Sequence, residues 1–294
     1  MQQLQNLKYL SLPLERMINQ IKTVILLGAL SGLLLVIGYS AGGMNGLVVM
    51  FIISILFNIF SYLYSHKIVL MIYRAKEIKQ NENPWLHETI EEIVKEANLP
   101  KPKIYLVPTE TPNAFATGPS PKKSCVAVTN GILKLLSKNE LKGVLAHEIA
   151  HIKNRDTLIT TIAAIIGSAI SFLAFTLRYM SFGERDRGSA IGLLLMGILA
   201  PIAAMIIQLA ISRAREYIAD EKGAKFTKDP SSLANALIKI ENSVYKNPLK
   251  FGSPATSSLF IINPFKGAGM SFMTLFSTHP PVKSRVERLK LIKV

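Results

Sequence analysis

Four stretches of this chain, residues 23–39, 46–64, 158–177 and 191–211, contain no Lys, Arg, Asp or Glu. Each approaches the ~20 apolar residues that a helix needs to cross the hydrocarbon of a bilayer. Backbone in lipid must satisfy its own hydrogen bonds, so such runs are restricted to helices. The alternative is four buried core helices, and 294 residues are few for a soluble core of that size. Hydrophobic residues make up 49% of the chain, and their concentration in these runs predicts about four transmembrane helices. The later two contain Thr160, Thr161, Ser168, Ser171, Pro201 and Gln208, so a shallow or protein-buried placement stays open for them. The first run starts too late and is too long for the ~7–15-residue core of a cleaved signal peptide.

Charge sets the orientation. Lys8, Arg16 and Lys22 precede the first run, and Lys67, Arg74, Lys76 and Lys79 follow the second, whereas 40–45 between them is uncharged. Basic residues flanking spans favour the cytoplasmic side, so both ends of this hairpin are expected there. Lys142, Lys153 and Arg155 before the third run, and Arg213, Arg215 and Lys222 after the fourth, place a second hairpin on the same side. The predicted location is a cell membrane, crossed several times, with the N-terminus and the hydrophilic mass in the cytoplasm. The net charge of +15 flanks the spans, which suits anionic lipid headgroups. No basic stripe interleaved with aromatics is present, so a nucleic-acid partner is not expected. The single Cys125 excludes an internal disulfide and any multi-cysteine metal site.

The remaining sequence reads as one α+β unit interrupted by the second hairpin. Residues 1–22 form an interfacial N-terminus, 23–64 the first hairpin, 65–157 the first part of the unit, 158–211 the second hairpin and 212–294 the second part. A helix over 85–97, strands over 103–107 and 124–129, a turn at Asn130-Gly131, and helices over 212–226, 231–245 and from Pro280 or Pro281 are predicted from periodicity and breakers. Residues 113–118 alone read as a turn with a buried Phe115. The Pro- and Gly-rich stretch 247–273 is a candidate lid or membrane-contacting loop.

His147-Glu148-Ile149-Ala150-His151 carries the chemistry. On a helix, positions i and i+4 share a face, so both imidazoles reach one metal ion. Glu148 is turned about 100° away, since a helix has ~3.6 residues per turn, and can address a water on that ion rather than the ion itself. The motif also arises by chance, so the flanks decide. Leu141, Val144, Leu145, Ile149 and Ile152 recur at helical spacing, and Ser137 with Glu140 forms a capping-box pattern. The helix is expected to continue through Asn154-Arg155-Asp156 towards the third run.

Catalytic zinc usually takes three protein ligands and a water. His66 ends a span and His87 lies on a surface helix, so neither is well placed. Glu216 and Asp220 share a face at i and i+4 in Arg213-Ala214-Arg215-Glu216-Tyr217-Ile218-Ala219-Asp220. Glu216 as a ligand with Asp220 behind an imidazole, and a solvated face of surface ion pairs, are both open on spacing alone.

His147-Glu148-x-x-His151 followed, across two apolar runs, by Ser212-Arg213-x-Arg215-Glu216-x-x-Ala219-Asp220 resembles the HtpX-like membrane zinc endopeptidases, gluzincins related to the CAAX prenyl proteases. Asn113-Ala114-Phe115-Ala116-Thr117-Gly118 and Thr278-His279-Pro280-Pro281 match the same family. The resemblance implies a mainly helical zincin (gluzincin-like) α+β domain with a small sheet. It implies one Zn2+ per subunit held by His147, His151 and Glu216, with Glu148 as general base, Asp220 behind a ligand, and His279 near the oxyanion or the metal. It further implies Asn113, Ala114 and Phe115 lining the substrate cleft, where an edge strand can pair with a peptide. The implied function is cleavage of membrane or misfolded proteins at the cytoplasmic face, a quality-control role. A prenyl protease is the alternative, disfavoured by the small number of spans. Intramembrane proteolysis is disfavoured by the charges flanking the motif, and a non-catalytic metal-binding scaffold by the intact Glu148.

Overall fold

The first two apolar runs form a single helical hairpin, α1 (Gln2–Ile72), broken only at Gly42 and Gly43, which leave helical geometry (φ −148° and +55°). The computed structural model describes residues 2–163, 166, 213–246, 259–262 and 280–294. The arms of α1 touch at Gly38 and Gly46, where a Cβ on either residue would strike the other's carbonyl. This small-residue contact lets two membrane helices approach closely. Farther from the bend, Asn58 Nδ2 donates to Ser31 Oγ at 2.8 Å. Val24, Ile25, Phe51, Ile52 and Leu56 stay exposed on the outer faces, as lipid-facing side chains are. Among the described residues one helix, Gly42–Ile72, is long and apolar enough to cross a membrane; the apolar stretch of the first arm, Ile21–Val36, is shorter. Of the about four spans expected, one is therefore found among the described residues by length and composition. The third and fourth runs lie outside the described residues except for 158–163 and 166, which are helical.

Beyond α1 the chain builds a small mixed sheet. Its strands are β1 (Lys76–Glu77), β2 (Lys103–Val107), β3 (Ala114–Thr117) and β4 (Cys125–Thr129), in the spatial order β1-β2-β4-β3. β2 and β4 are parallel, and β1 and β3 pair antiparallel with β2 and β4. Cys125 is buried in β4, as a small apolar residue there. Residues 113–118, read alone as a turn, instead contain the edge strand β3. No breaker interrupts Ala114–Thr117, and all four residues are buried on both faces. Asn130-Gly131 opens the short helix α3 (Asn130–Leu135) rather than a turn, because Thr129 caps it by accepting from the Ile132 amide.

Helix α2 (Pro84–Ala97) starts with Asn83 as its cap and ends at Asn98 in the left-handed region. Helix α4 (Lys138–Asn154) carries the His-Glu-x-x-His motif and begins with a complete capping box of Ser137 and Glu140. It does not run through Asp156 as the sequence suggested. Arg155 takes φ 60° and ends it, and helix resumes at 156. Three further helices are α5 (Arg213–Thr227), α6 (Pro230–Lys246) and α7 (Val282–Lys290). α4 packs against α2, β3, α5 and α6, and α7 packs against α5 and α6. One core runs through all of them, with Ile90, Ile93, Val128, Leu145, Ile149, Leu237, Ile240 and Leu289 essentially inaccessible. The motif helix is thus central, and segments before and after the second apolar pair bury it together.

Candidate active site

The buried face of α4 places His147 and His151 one turn apart with their Nε2 atoms 3.1 Å from each other. α5 supplies Glu216 opposite them. Its Oε2 lies 3.7 Å from His147 Nε2, and its Oε1 lies 3.5 Å from His151 Nε2. Four ligands on zinc at ~2.0–2.1 Å in a tetrahedron stand about 3.3 Å apart, so these three donors already have the spacing of one shared ion. The approach of α5 depends on Gly223, since a Cβ there would sit 2.9 Å from the His147 amide nitrogen.

Each imidazole is backed by a carboxylate. His147 Nδ1 lies 2.9 Å from Asp220 Oδ1, and His151 Nδ1 lies 3.1 Å from Asp156 Oδ2. A proton held on each Nδ1 leaves Nε2 with its lone pair turned to the common point, the arrangement that orients metal-binding histidines. Asp220 was among the residues that the sequence singled out for such a contact. Asp156 was not foreseen, because a residue five positions after His151 leaves its face on an uninterrupted helix. The left-handed turn at Arg155 brings it back.

Arg285 of α7 is the second residue that sequence reasoning missed. It is completely buried and forks onto Asp220, with Nε 2.9 Å from Oδ2 and Nη2 2.7 Å from Oδ1. Nη2 also lies 3.4 Å from His147 Nε2, packed on the ring, and Nη1 is 3.7 Å from Glu216 Oε2. A readable signal existed. Val282, Val286 and Leu289 define the buried face of α7, and residue 285 falls on that face.

The electrostatics fit a dication. Glu148, Asp156, Glu216 and Asp220 are all buried, and the guanidiniums among them are Arg285 and, 3.6 Å from Asp156, Arg215. Among these described carboxylates and guanidiniums two negative charges remain, the complement of a divalent cation. The protonation of the metal-free site reflects this excess. Burial opposes charge on His151, but its bond to Asp156 and the Glu216 carboxylate outweigh burial and push it up to about 9. Burial, assisted by Glu216, lifts Glu148 to about 7 against the opposing pull of His151, the Ala116 amide and Arg285. His147 is held below its ordinary value by burial and Arg285, despite Asp220. Burial would raise Asp220, but Arg285 keeps it below the usual carboxylate range.

Glu148 points across the same cleft towards the sheet, where its Oε2 accepts from the Ala116 amide at 2.8 Å. The cleft is lined by the His147–His151–Glu216 set and by Phe115, Ala116, Thr157, Leu259 and Phe260. Phe115 and Ala116 therefore belong to it, while Asn113, expected there, is not among its lining residues and accepts from the Ile261 amide at 3.1 Å. Ala114 is buried beside them on β3. His66 and His87 do not join the site; His87 Nε2 lies 3.0 Å from the Ile78 carbonyl. His279 lies outside the described residues, as do 247–258 and 263–273 of the predicted loop.

The profile of Peptidase family M48 matches residues 80–293. A "Protease HtpX homolog" of Thermococcus sibiricus is 52% identical over 280 residues, covering 92% of this chain and 95% of its own. Homologues of the same description from Pyrococcus furiosus and Persephonella marina are 51% and 52% identical over 277 and 279 residues. Each covers 92% of this chain, and 95% and 96% of its own length. Among solved structures, the crystal structure of S. mikatae Ste24p aligns with 95% of this chain and 67% of its own, with 19% identity and a TM-score of 0.49. That likeness is too distant to bear on fold or activity.

Proposed function

The chain belongs to peptidase family M48 and is a membrane metalloprotease; from this and the site we propose that it is a zinc-dependent endopeptidase with His147, His151 and Glu216 as the metal ligands and Glu148 as the general base. One observation carries the assignment: three donors converge at the spacing of a tetrahedral ion, with a carboxylate behind each imidazole.

Zinc bound there would polarise a water and the scissile carbonyl and bring the water's pKa towards about 7. The residues of the chain do the rest. Glu148 takes the proton of the attacking water and delivers it to the departing amine, so no acyl-enzyme is required. Asp220 and Asp156 hold the imidazole tautomers. The Asn113–Phe115 run presents the edge of β3 to an extended substrate backbone, and edge pairing recognises any sequence through its main chain. Sequence-tolerant recognition beside a membrane hairpin suits membrane or misfolded proteins as substrates.

The multi-pass arrangement with a cytoplasmic catalytic domain rests on the basic flanks of the apolar runs, and Lys67, Arg74, Lys76 and Lys79 at the foot of α1 suit anionic headgroups. The boundaries 65–157 and 212–294 for the two parts of the peptidase unit are supported by the core they share.

The test uses purified full-length protein in detergent. Chelation is expected to stop casein cleavage and zinc to restore it, and Glu148→Gln is expected to retain zinc but lose cleavage. Proteolysis surviving in zinc-loaded Glu148→Gln would remove Glu148 from its role.

A further inference from the structure

Residues 259–262, Leu-Phe-Ile-Ile, belong to none of the core helices or strands, yet all four are buried. Leu259, Phe260 and Ile261 form one wall of the catalytic cleft, facing Phe115 and Ala116 of β3 and the His147–His151–Glu216 set. The backbone of Ile261 is held from both sides. Its amide donates to Asn113 Oδ1 at 3.1 Å, and its carbonyl accepts from Arg285 Nη1 at 3.1 Å. The side chains are seated too. Phe260 meets Tyr73 edge-on at 5.8 Å between centroids, and Tyr73 in turn meets Phe115 at 5.7 Å.

All four side chains pack into the hydrophobic clusters, yet the grip on their backbone is also the way an enzyme holds a substrate. A side-chain acceptor and a guanidinium grip one peptide unit without regard to its side chain, next to an edge strand, while apolar residues fill the cleft. We propose that residues 259–262 are an internal occupant of the catalytic cleft, seated where an extended substrate backbone has to lie, so that the resting enzyme is self-inhibited until a substrate chain displaces the segment. The proposal rests on the metallopeptidase reading of the site.

Exchange is chemically even. Any incoming peptide unit offers the N–H and C=O that Asn113 and Arg285 now receive from Ile261, so displacement leaves no buried polar group unsatisfied. A substrate also has something to gain. Asn113 Nδ2 is buried with no hydrogen-bond partner among the described residues, a donor that residues 259–262 leave unused. The same Arg285 grips Asp220 behind His147, so the occupied state is tied directly to the metal ligands. Self-occupation of this kind guards a membrane protease against folded neighbours, because only a chain free to extend can compete for the cleft.

The sign of one substitution separates an occupant from a permanent wall. Phe260→Ala loosens the anchor on Tyr73 without touching the metal ligands or Glu148. For an occupant, casein cleavage rises several-fold in kcat/KM, with a lower KM and faster self-cleavage. An unchanged or reduced kcat/KM overturns the proposal. A second measurement does not depend on catalysis or on the variant keeping full activity. In full-length Glu148→Gln, Cys125→Ser, Leu259→Cys protein, which keeps the Phe260 anchor, maleimide labelling of residue 259 is slow alone and accelerates when reduced, unfolded casein is added. Equal labelling with and without casein overturns the proposal. Wild-type protein that binds zinc but cleaves nothing would instead overturn the peptidase reading, and the labelling would still report whether the segment moves.

Discussion

Arg285→Met tests the frame behind the metal site. The side chain is completely buried and makes two hydrogen bonds to Asp220 and one to the Ile261 carbonyl. Removing one partner of a buried ion pair costs about 3–5 kcal/mol, because the other charge is left in the interior. Asp220 retains only its contact with His147. At about 2–4 °C per kcal/mol for a domain of this size, the melting temperature of zinc-free protein is expected to fall by about 6–20 °C. Zinc affinity is expected to fall as well, because the carboxylate that orients His147 loses its own anchor. Loss of such an outer contact typically weakens metal binding about 10–100-fold. The assay is thermal denaturation of chelated protein alongside competition of zinc with a fluorescent chelator. Arg285→Lys keeps the charge but not the fork and is expected to fall between wild type and Met. Adding Asp220→Asn to Arg285→Met removes the stranded charge, so the double variant is expected to melt higher than the sum of the two single losses predicts. A melting temperature within about 1 °C of wild type, which corresponds to under ~0.5 kcal/mol, together with unchanged zinc affinity, would refute the reasoning.

Asp156→Asn is expected to weaken zinc binding about 10-fold or more while leaving the fold intact, read as zinc content after dialysis against a metal buffer beside an unchanged circular dichroism spectrum. Zinc affinity is also expected to rise with pH and level off near pH 9. His151 sits at about 9 in the metal-free site, so below that pH the ion must displace its proton; calorimetry in two buffers of different ionisation enthalpy counts the proton released. The same raised value stabilises metal-free protein fully below the ordinary histidine range and is lost as pH rises from about 6.5 to about 9. A chelated sample whose melting temperature climbs over that interval would contradict the assignment. Gly223→Val places side-chain atoms against the His147 backbone and is expected to cost about 1–3 kcal/mol and to lower zinc retention, whereas the same change at the exposed, open Gly32 is not.

Much of the site was readable because its parts lie at helical spacings. His147 and His151, and Glu216 and Asp220, are each i and i+4, so one rule of helix geometry placed each pair on a face whatever the rest of the chain did. The capping box at Ser137 and Glu140 located the start of the helix through local bonds alone. The apolar runs likewise carried the membrane assignment in composition, and the bend at Gly42 and Gly43 fell in the uncharged link between the first two.

What tertiary structure decided is everything that depends on a partner distant in sequence or on one backbone angle. Asp156 reaches His151 only because Arg155 adopts φ 60°, which no periodicity encodes. β3 is a strand rather than a turn because β4 supplies its hydrogen bonds from one side. Arg285 could be placed on a buried face from the pattern of α7, but what makes its charge tolerable there is Asp220, 65 residues away. Residues 259–262 were readable only as part of a candidate lid or membrane-contacting loop, since four apolar residues in a Pro- and Gly-rich stretch acquire a definite place only when Asn113 and Arg285 close on their backbone. Spacing within one helix is fixed by covalent geometry and so is written in the sequence. Pairing across the fold depends on which surfaces the core brings together, and the sequence records that only after the chain has folded.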